Sequence, residues 1–160
     1  MVITDKYVLF WKDELSNFDH APYISEDGIK FLTSEQEFMY RKAIFFGDVD
    51  IAKRILKTTK PWDAKKLGRQ VKGYNDSWNN VREEYMYKAC LAKFSKYPEK
   101  LLKSSYSKKE FVEANPFDTI WAIGLSPDNP LARDSENWRG QNLLGKVLER
   151  VRQFLINENK

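Results

Sequence analysis

The segment LTSEQEFMYRKAIFFGD, residues 32–48, decides the reading of this 160-residue chain. Within it Glu35, Phe38, Met39, Lys42, Phe45 and Phe46 fall at i, i+3, i+4, i+7, i+10 and i+11, the spacing of one helical face. Ser34 with Glu37 three positions on reads as a capping box, and Gly47 reads as the glycine that ends the helix. The apolar stripe carries a carboxylate and an ammonium, which is costly on a core face unless the charges are paired or open to a cavity. Glu35 and Lys42 lie two turns apart, about 10 Å along the axis. That is too far for a routine i,i+4 pair. Either both reach into one pocket from two sides, or both heads snorkel to water.

Working outward, residues 48–57 read as a second helix, and Pro61 opens a third that runs toward 68–71. Asp76 or Ser77 opens the longest helix, to about Tyr97 before Pro98. Its stripe of Trp78, Val81, Arg82, Tyr85, Met86 and Ala89 repeats the anomaly, with Arg82 in the middle. A guanidinium there either binds a phosphate bidentately while the rings stack on a base, or pairs with a buried carboxylate. Upstream, residues 7–11 read as a strand, and PYISEDGIKFL at 22–32 reads as a hairpin around Asp-Gly. Downstream, 111–114 and 120–123 read as short buried strands around an Asn-Pro turn, and 125–140 as an irregular loop. The last helix carries Leu143, Leu144, Val147, Leu148, Val151, Phe154 and Leu155 on one stripe. No repeat or linker interrupts the chain. The expectation is one helix-rich α+β domain over 1–160, with a small irregular β component.

Three further groups are candidates for chemistry. Glu113, Asp118 and Trp121 lie on or beside the two apolar segments, where strand ends often present functional groups; Asp118 alternatively caps a turn after Pro116, and Trp121 fills core. Trp138 and Asn142 flank the start of the last helix, whose N-terminus can receive an anion; Asn142 alternatively caps that helix. His20 sits in a polar loop without a Ser or Cys partner motif and reads as structural or surface.

Composition bounds the possibilities. With 42% apolar and 14% aromatic residues the chain is globular rather than disordered. A single cysteine, Cys90, excludes an internal disulfide framework and fits a reducing compartment. One Cys and one His do not make a usual zinc site, so no metal or other cofactor is expected. No run of about 18 apolar residues is present to span a bilayer, and the N-terminus lacks the basic region of a signal peptide. The expected location is the cytoplasm. Charge is uneven: residues 1–40 hold eight acids against three bases, whereas residues 53–72 hold eight bases against Asp63 alone. That strip either steers an anionic partner such as nucleic acid or is a solvated helix face.

Taken in order, FWKDELSNF at 10–18, LTSEQEFMYRKAIFFGD at 32–48, GR at 68–69, Trp78, Arg82 and Met86, EANPFDTIWAIGL at 113–125 and NWRGQNLLGKVLERVR at 137–152 resemble the NADAR, or YbiA-like, family. The chain departs from the family pattern at Gln36, Asn115 and Ala122, positions often held by His, Ser and Gly. The resemblance implies cleavage of an N-glycosidic bond. Some members resemble hydrolases of phosphoribosylamino-pyrimidine intermediates of riboflavin synthesis. Others remove ADP-ribose from guanine in nucleic acid through a lysine Schiff base, and that lysine matches Lys42. On this reading Lys42, Glu35 and Asp118 are the catalytic residues. Asn17, Phe18, Trp78, Arg82, Glu113, Trp121, Trp138 and Asn142 contact substrate. The partner is then an ADP-ribosylated nucleic acid or a ribosylated nucleobase metabolite, and a non-catalytic reader of ADP-ribose is the third alternative.

Overall fold

The structure, a computed structural model, describes residues 1–159. In chain order it runs β1 (Val2–Ile3), β2 (Tyr7–Phe10), β3 (Tyr23–Ile24), β4 (Lys30–Phe31), α1 (Ser34–Phe45), α2 (Val49–Leu56), α3 (Pro61–Gly68), α4 (Trp78–Lys96), β5 (Glu110–Glu113) and α5 (Leu143–Glu158). This is the helix-rich α+β class that the sequence predicts. No described helix is long and apolar enough to cross a membrane. The chain divides into two compact units, Asn17–Lys96, and Met1–Ser16 with the chain from Tyr97 onward.

In the Asn17–Lys96 unit, α1 packs against α2, α3 and α4. The helix starts one residue earlier in its cap than the sequence suggests: Thr33, not Ser34, is the N-cap, its Oγ1 accepting the Gln36 N–H at 3.1 Å. Thr33 has the extended backbone of a cap (φ −146, ψ 157), whereas Ser34 is already within the helix and its Oγ donates to Asn17 Oδ1 at 2.8 Å. Gln36, the departure from the family pattern, fastens α1 to α2: its Nε2 donates to the Ile55 and Thr58 carbonyls, and its Oε1 accepts the Leu32 N–H. At the far end Gly47 adopts φ +75, and it and Asp48 return their N–H groups to Ile44 and Ala43. Only glycine takes that left-handed φ without strain. Pro61 opens α3 where the sequence places it.

The hairpin forms as expected, Tyr23 opposite Phe31 and Ile24 opposite Lys30. It is tied to α1 by a polar network. Tyr23 Oη donates to Glu37 Oε1 at 2.8 Å, Arg41 Nε donates to Glu37 Oε2 at 3.0 Å, and Arg41 also grips Asp27 with two further bonds. Burial pushes the Glu37 carboxyl above its ordinary value, and Tyr23 and Arg41 pull it back. Glu37 is thus a clasp rather than half of a capping box.

In the other unit, β2 pairs antiparallel with β1 and parallel with β5, with Tyr7 opposite Glu110 and Phe10 opposite Glu113. All four residues of β2 are buried, as a strand covered on both faces requires of an unbroken apolar run. The α5 stripe buries Leu144, Val147, Leu148, Val151 and Leu155, each fully buried Val or Leu contributing roughly 1.5–3 kcal/mol. Phe154, on the same sequence stripe, is exposed instead.

The strand expected at 120–123 does not form; residues 120–122 are bends and Ile123 has no regular structure. Their carbonyls have another task. Ile120, Trp121 and Ala122 accept the N–H groups of Leu143, Leu144 and Asn142, and Thr119 and Ile123 accept those of Gln141 and Arg139. The apolar run is therefore a loop that closes over the start of α5. Gly140 permits the approach, because a Cβ there would meet the Ala122 carbonyl at 2.2 Å.

Candidate active site

Glu35 and Lys42, the two charges expected at the site, lie on α1. Glu35 is buried at 7% exposure, and Lys42 is half-buried. Burial pulls the Lys42 amine below its ordinary value; the Glu35 carboxylate opposes this and the Arg69 guanidinium adds to it. Thus Glu35, Lys42 and Arg69 share one electrostatic neighbourhood. The Tyr74 ring lies 5.1 Å from Lys42 Nζ. Of the two sequence alternatives, snorkelling to water does not describe Glu35, which is buried.

Asn17 holds the first turn of this helix in place. Its carbonyl accepts the Glu35 N–H at 3.1 Å, its Oδ1 accepts Ser34 Oγ, and its Nδ2 donates to Met86 Sδ at 3.4 Å. Its backbone bond acts directly on the residue that carries the acid. Phe18 follows at 38% exposure, its ring 5.7 Å from Lys65 Nζ.

On α4, Arg82 is half-buried and donates to Asn79 Oδ1 at 2.9 Å. It forms no ion pair with a carboxylate among the described residues, so the buried-pair alternative does not describe it. Trp78 stands differently from the sequence expectation of a flat binding surface. It is 4% exposed, stacks on Tyr85 at 5.4 Å, and meets Phe38, Phe45 and Phe46. Its faces are filled by the chain's own rings, which makes it packing behind Lys42's helix.

Glu113, Asp118, Trp121, Trp138 and Asn142 belong to the other unit. Asp118 Oδ1 accepts the Ile120 and Trp121 N–H groups at 2.8 and 2.9 Å, the turn-holding alternative. Trp121 is half-buried, its backbone in the same turn. Glu113, at the end of β5, is half-buried. Trp138 donates from Nε1 to the Ala132 carbonyl at 2.8 Å and packs on Tyr7.

Asn142 occupies the N-cap position of α5 but makes no side-chain cap bond. Instead its Oδ1 accepts the Glu113 N–H and its Nδ2 donates to the Phe111 carbonyl, both at 3.0 Å. The expectation that the start of α5 receives an anion fails for a plain reason. The N–H groups an anion needs already go to the 120–122 carbonyls.

Two features escape the sequence reading. Lys93 is wholly buried on α4 with its Nζ 3.6 Å from Asp19 Oδ2, fastening the loop that carries Asn17 and Phe18. The signal was present, since Lys93 continues the stripe four residues after Ala89. Trp62 is 46% exposed on α3 beside Lys65 and Arg69. Its spacing from those cations, i+3 and i+7, was readable too.

Comparison with known proteins identifies the family. The NADAR domain matches residues 6–156. Protein irg-1 of Caenorhabditis elegans is 43% identical over 145 residues, covering 88% of this chain and 68% of its own length. N-glycosidase R617 of Acanthamoeba polyphaga mimivirus is 32% identical over 174 residues, covering 94% and 96%. The NMR structure of the Escherichia coli protein YbiA superposes with a TM-score of 0.76 at 29% identity, over 99% of this chain and 89% of that one. The chain belongs to the NADAR family, as an N-glycosidase.

Proposed function

We propose that this N-glycosidase removes ADP-ribose from guanine bases in nucleic acid through a Schiff base on Lys42. The observation that carries the reading is the half-buried Lys42 amine, held below its ordinary pKa by burial, on the same helix face as buried Glu35. A desolvated lysine is more often neutral and therefore nucleophilic. The amine adds to the ribose anomeric carbon, and Glu35 takes its proton and hands it to the guanine nitrogen as the carbon–nitrogen bond breaks. The lysine nitrogen's lone pair then opens the sugar ring, the C1′–O4′ bond breaking and O4′ taking a proton from solvent, which leaves an iminium on Lys42. Water adds to that carbon while Glu35 accepts its proton; Glu35 returns the proton to the nitrogen, and as the carbonyl forms and loses its hydroxyl proton to solvent the neutral amine leaves and ADP-ribose is released. Asp118, whose Oδ1 holds its own turn, moves no proton in this scheme.

Arg82, without a carboxylate partner, is the candidate for a phosphate of the ADP-ribose. The exposed cations of the 53–72 strip favour a polymeric substrate over a free metabolite. The single cysteine, Cys90, is buried and forms no disulfide, which suits action in the cytoplasm. Offering an ADP-ribosylated oligonucleotide and a phosphoribosylamino-pyrimidine side by side tests the reading. Release of ADP-ribose with kcat/KM at least about tenfold higher than for the pyrimidine, a difference of about 1.4 kcal/mol, is expected. Preference for the pyrimidine moves the assignment to that metabolite, and binding of ADP-ribose without release of either product moves it to a reader.

A further inference from the structure

Trp62 and Lys65 on α3 and Arg69, which caps its C-terminus with helical backbone, lie at i, i+3 and i+7 and so share one side. Lys65 Nζ sits 5.7 Å from the Phe18 ring and 5.8 Å from the Trp62 ring, and Arg69 Cζ sits 5.3 Å from the Trp62 ring. Two aromatic rings thus converge on one ammonium while keeping 38% and 46% of their surface in water. Lys65 and Arg69 have no carboxylate partner among the described residues, whereas Lys66 on the neighbouring face pairs with Asp63 at 3.5 Å.

We infer that Trp62, with Phe18, Lys65 and Arg69, forms a stacking site for an unpaired base of single-stranded nucleic acid, the two cations meeting its flanking phosphates. An exposed indole offers a π-face to any base, and interleaved cations track the backbone between bases. Only an unpaired base has a free face to offer, which selects single strands over duplex. Both side chains are long enough to swing from the rings to a phosphate. The cluster also adjoins the reaction site, because the Arg69 charge is felt at Lys42. A base held on Trp62 is therefore a neighbour of the modified nucleotide, not the nucleotide itself. The inference rests on the polymeric-substrate reading above.

The test uses the full chain and a fluorescein-labelled 12-nucleotide single-stranded DNA of mixed sequence without ADP-ribose, at about 50 mM salt, where phosphate contacts are strong. Trp62→Ala is expected to weaken binding about tenfold, within the range for loss of one stacked base. Trp62→Phe, which keeps a ring, should lose less than about threefold by the same stacking argument. Trp62→Leu keeps apolar bulk without a ring and should behave as Trp62→Ala, so the comparison survives if the alanine variant misfolds. A duplex of the same sequence should bind more weakly and be indifferent to Trp62→Ala. A parent that does not bind the oligonucleotide, a Trp62→Ala that binds like the parent, or a Trp62→Phe that falls as far as Trp62→Leu each overturns the inference. Because the probe carries no ADP-ribose, its binding stands or falls separately from the glycosidase chemistry.

Discussion

Glu35 and Lys42 occupy one face of α1, and the buried carboxylate opposes the burial that lowers the Lys42 amine. In the proposed mechanism that same carboxylate moves the proton of Lys42. Arg69 acts in the opposite sense, as a like charge that favours the neutral amine.

The pH profile should report this balance. The reactive form is the neutral amine, so kcat/KM rises with pH through a lysine pKa below the ordinary value. Arg69→Gln removes a like charge, raises that pKa and moves the ascending limb to higher pH. Glu35→Gln removes an opposite charge, lowers the pKa and moves the limb to lower pH, while the plateau falls about 10²-fold through loss of the proton carrier. Rate profiles on ADP-ribosylated guanosine check both shifts; limbs that move in the reverse order contradict the assignment.

Asp118 should behave as a structural residue first. Its Oδ1 accepts two backbone N–H groups, and Asn retains one acceptor oxygen. Asp118→Asn is therefore expected to lose less activity than Glu35→Gln, while Asp118→Ala costs about 1–3 kcal/mol of stability. Urea unfolding and turnover of the two variants measure this; an Asn variant as inactive as Glu35→Gln would restore Asp118 to the acid–base chemistry.

Asn142 combines a left-handed φ of 52 with two buried bonds to the β5 backbone. Asn142→Ala loses both bonds and strains the backbone, at a cost of about 2–4 kcal/mol. Asn142→Gly accepts the φ and should recover about 1 kcal/mol of it. Equal denaturant midpoints for Ala and the parent would point instead to a substrate contact, read as a raised KM.

The start of α5 also shows what the sequence left illegible. Residues 120–123 have the apolar content of a strand, but their carbonyls serve the N–H groups of a helix some twenty residues later in the sequence. Such non-local use of the backbone leaves no local pattern. Likewise Thr33 rather than Ser34 is the cap because the extended backbone falls at Thr33, a one-residue choice between two hydroxyls that residue type does not make. The legible part followed from periodicity and turn chemistry: the α1 stripe, Pro61, Gly47 and the Asp-Gly hairpin all lie where their residues demand. Charges on an apolar stripe singled out Glu35, which is buried, and Lys42, whose amine pKa is lowered by burial. Trp78 and Trp138 were read by residue type alone, and type does not tell an open ring from a packed one.

The cationic strip makes a salt prediction. Lys57, Lys60 and Lys66 are exposed and remote in role from the Lys42 electrostatics. Their joint replacement by Ala should flatten the fall of kcat/KM on a polymeric substrate between about 50 and 200 mM salt, by counterion release. Turnover of ADP-ribosylated guanosine should stay within about twofold, because that substrate has too few phosphates to reach the strip. Equal slopes for both substrates, before and after substitution, would identify the strip as a solvated face and favour a small metabolite.

The central claim is the covalent step, and borohydride trapping tests it most directly. The protein is mixed with an ADP-ribosylated oligonucleotide, reduced during turnover, digested and mapped by mass. The account predicts a stable ADP-ribosyl adduct on the peptide containing Lys42, with neither adduct nor turnover in Lys42→Ala. A Lys42→Ala enzyme that still releases ADP-ribose at the parent's rate, or an adduct on another lysine, would contradict it.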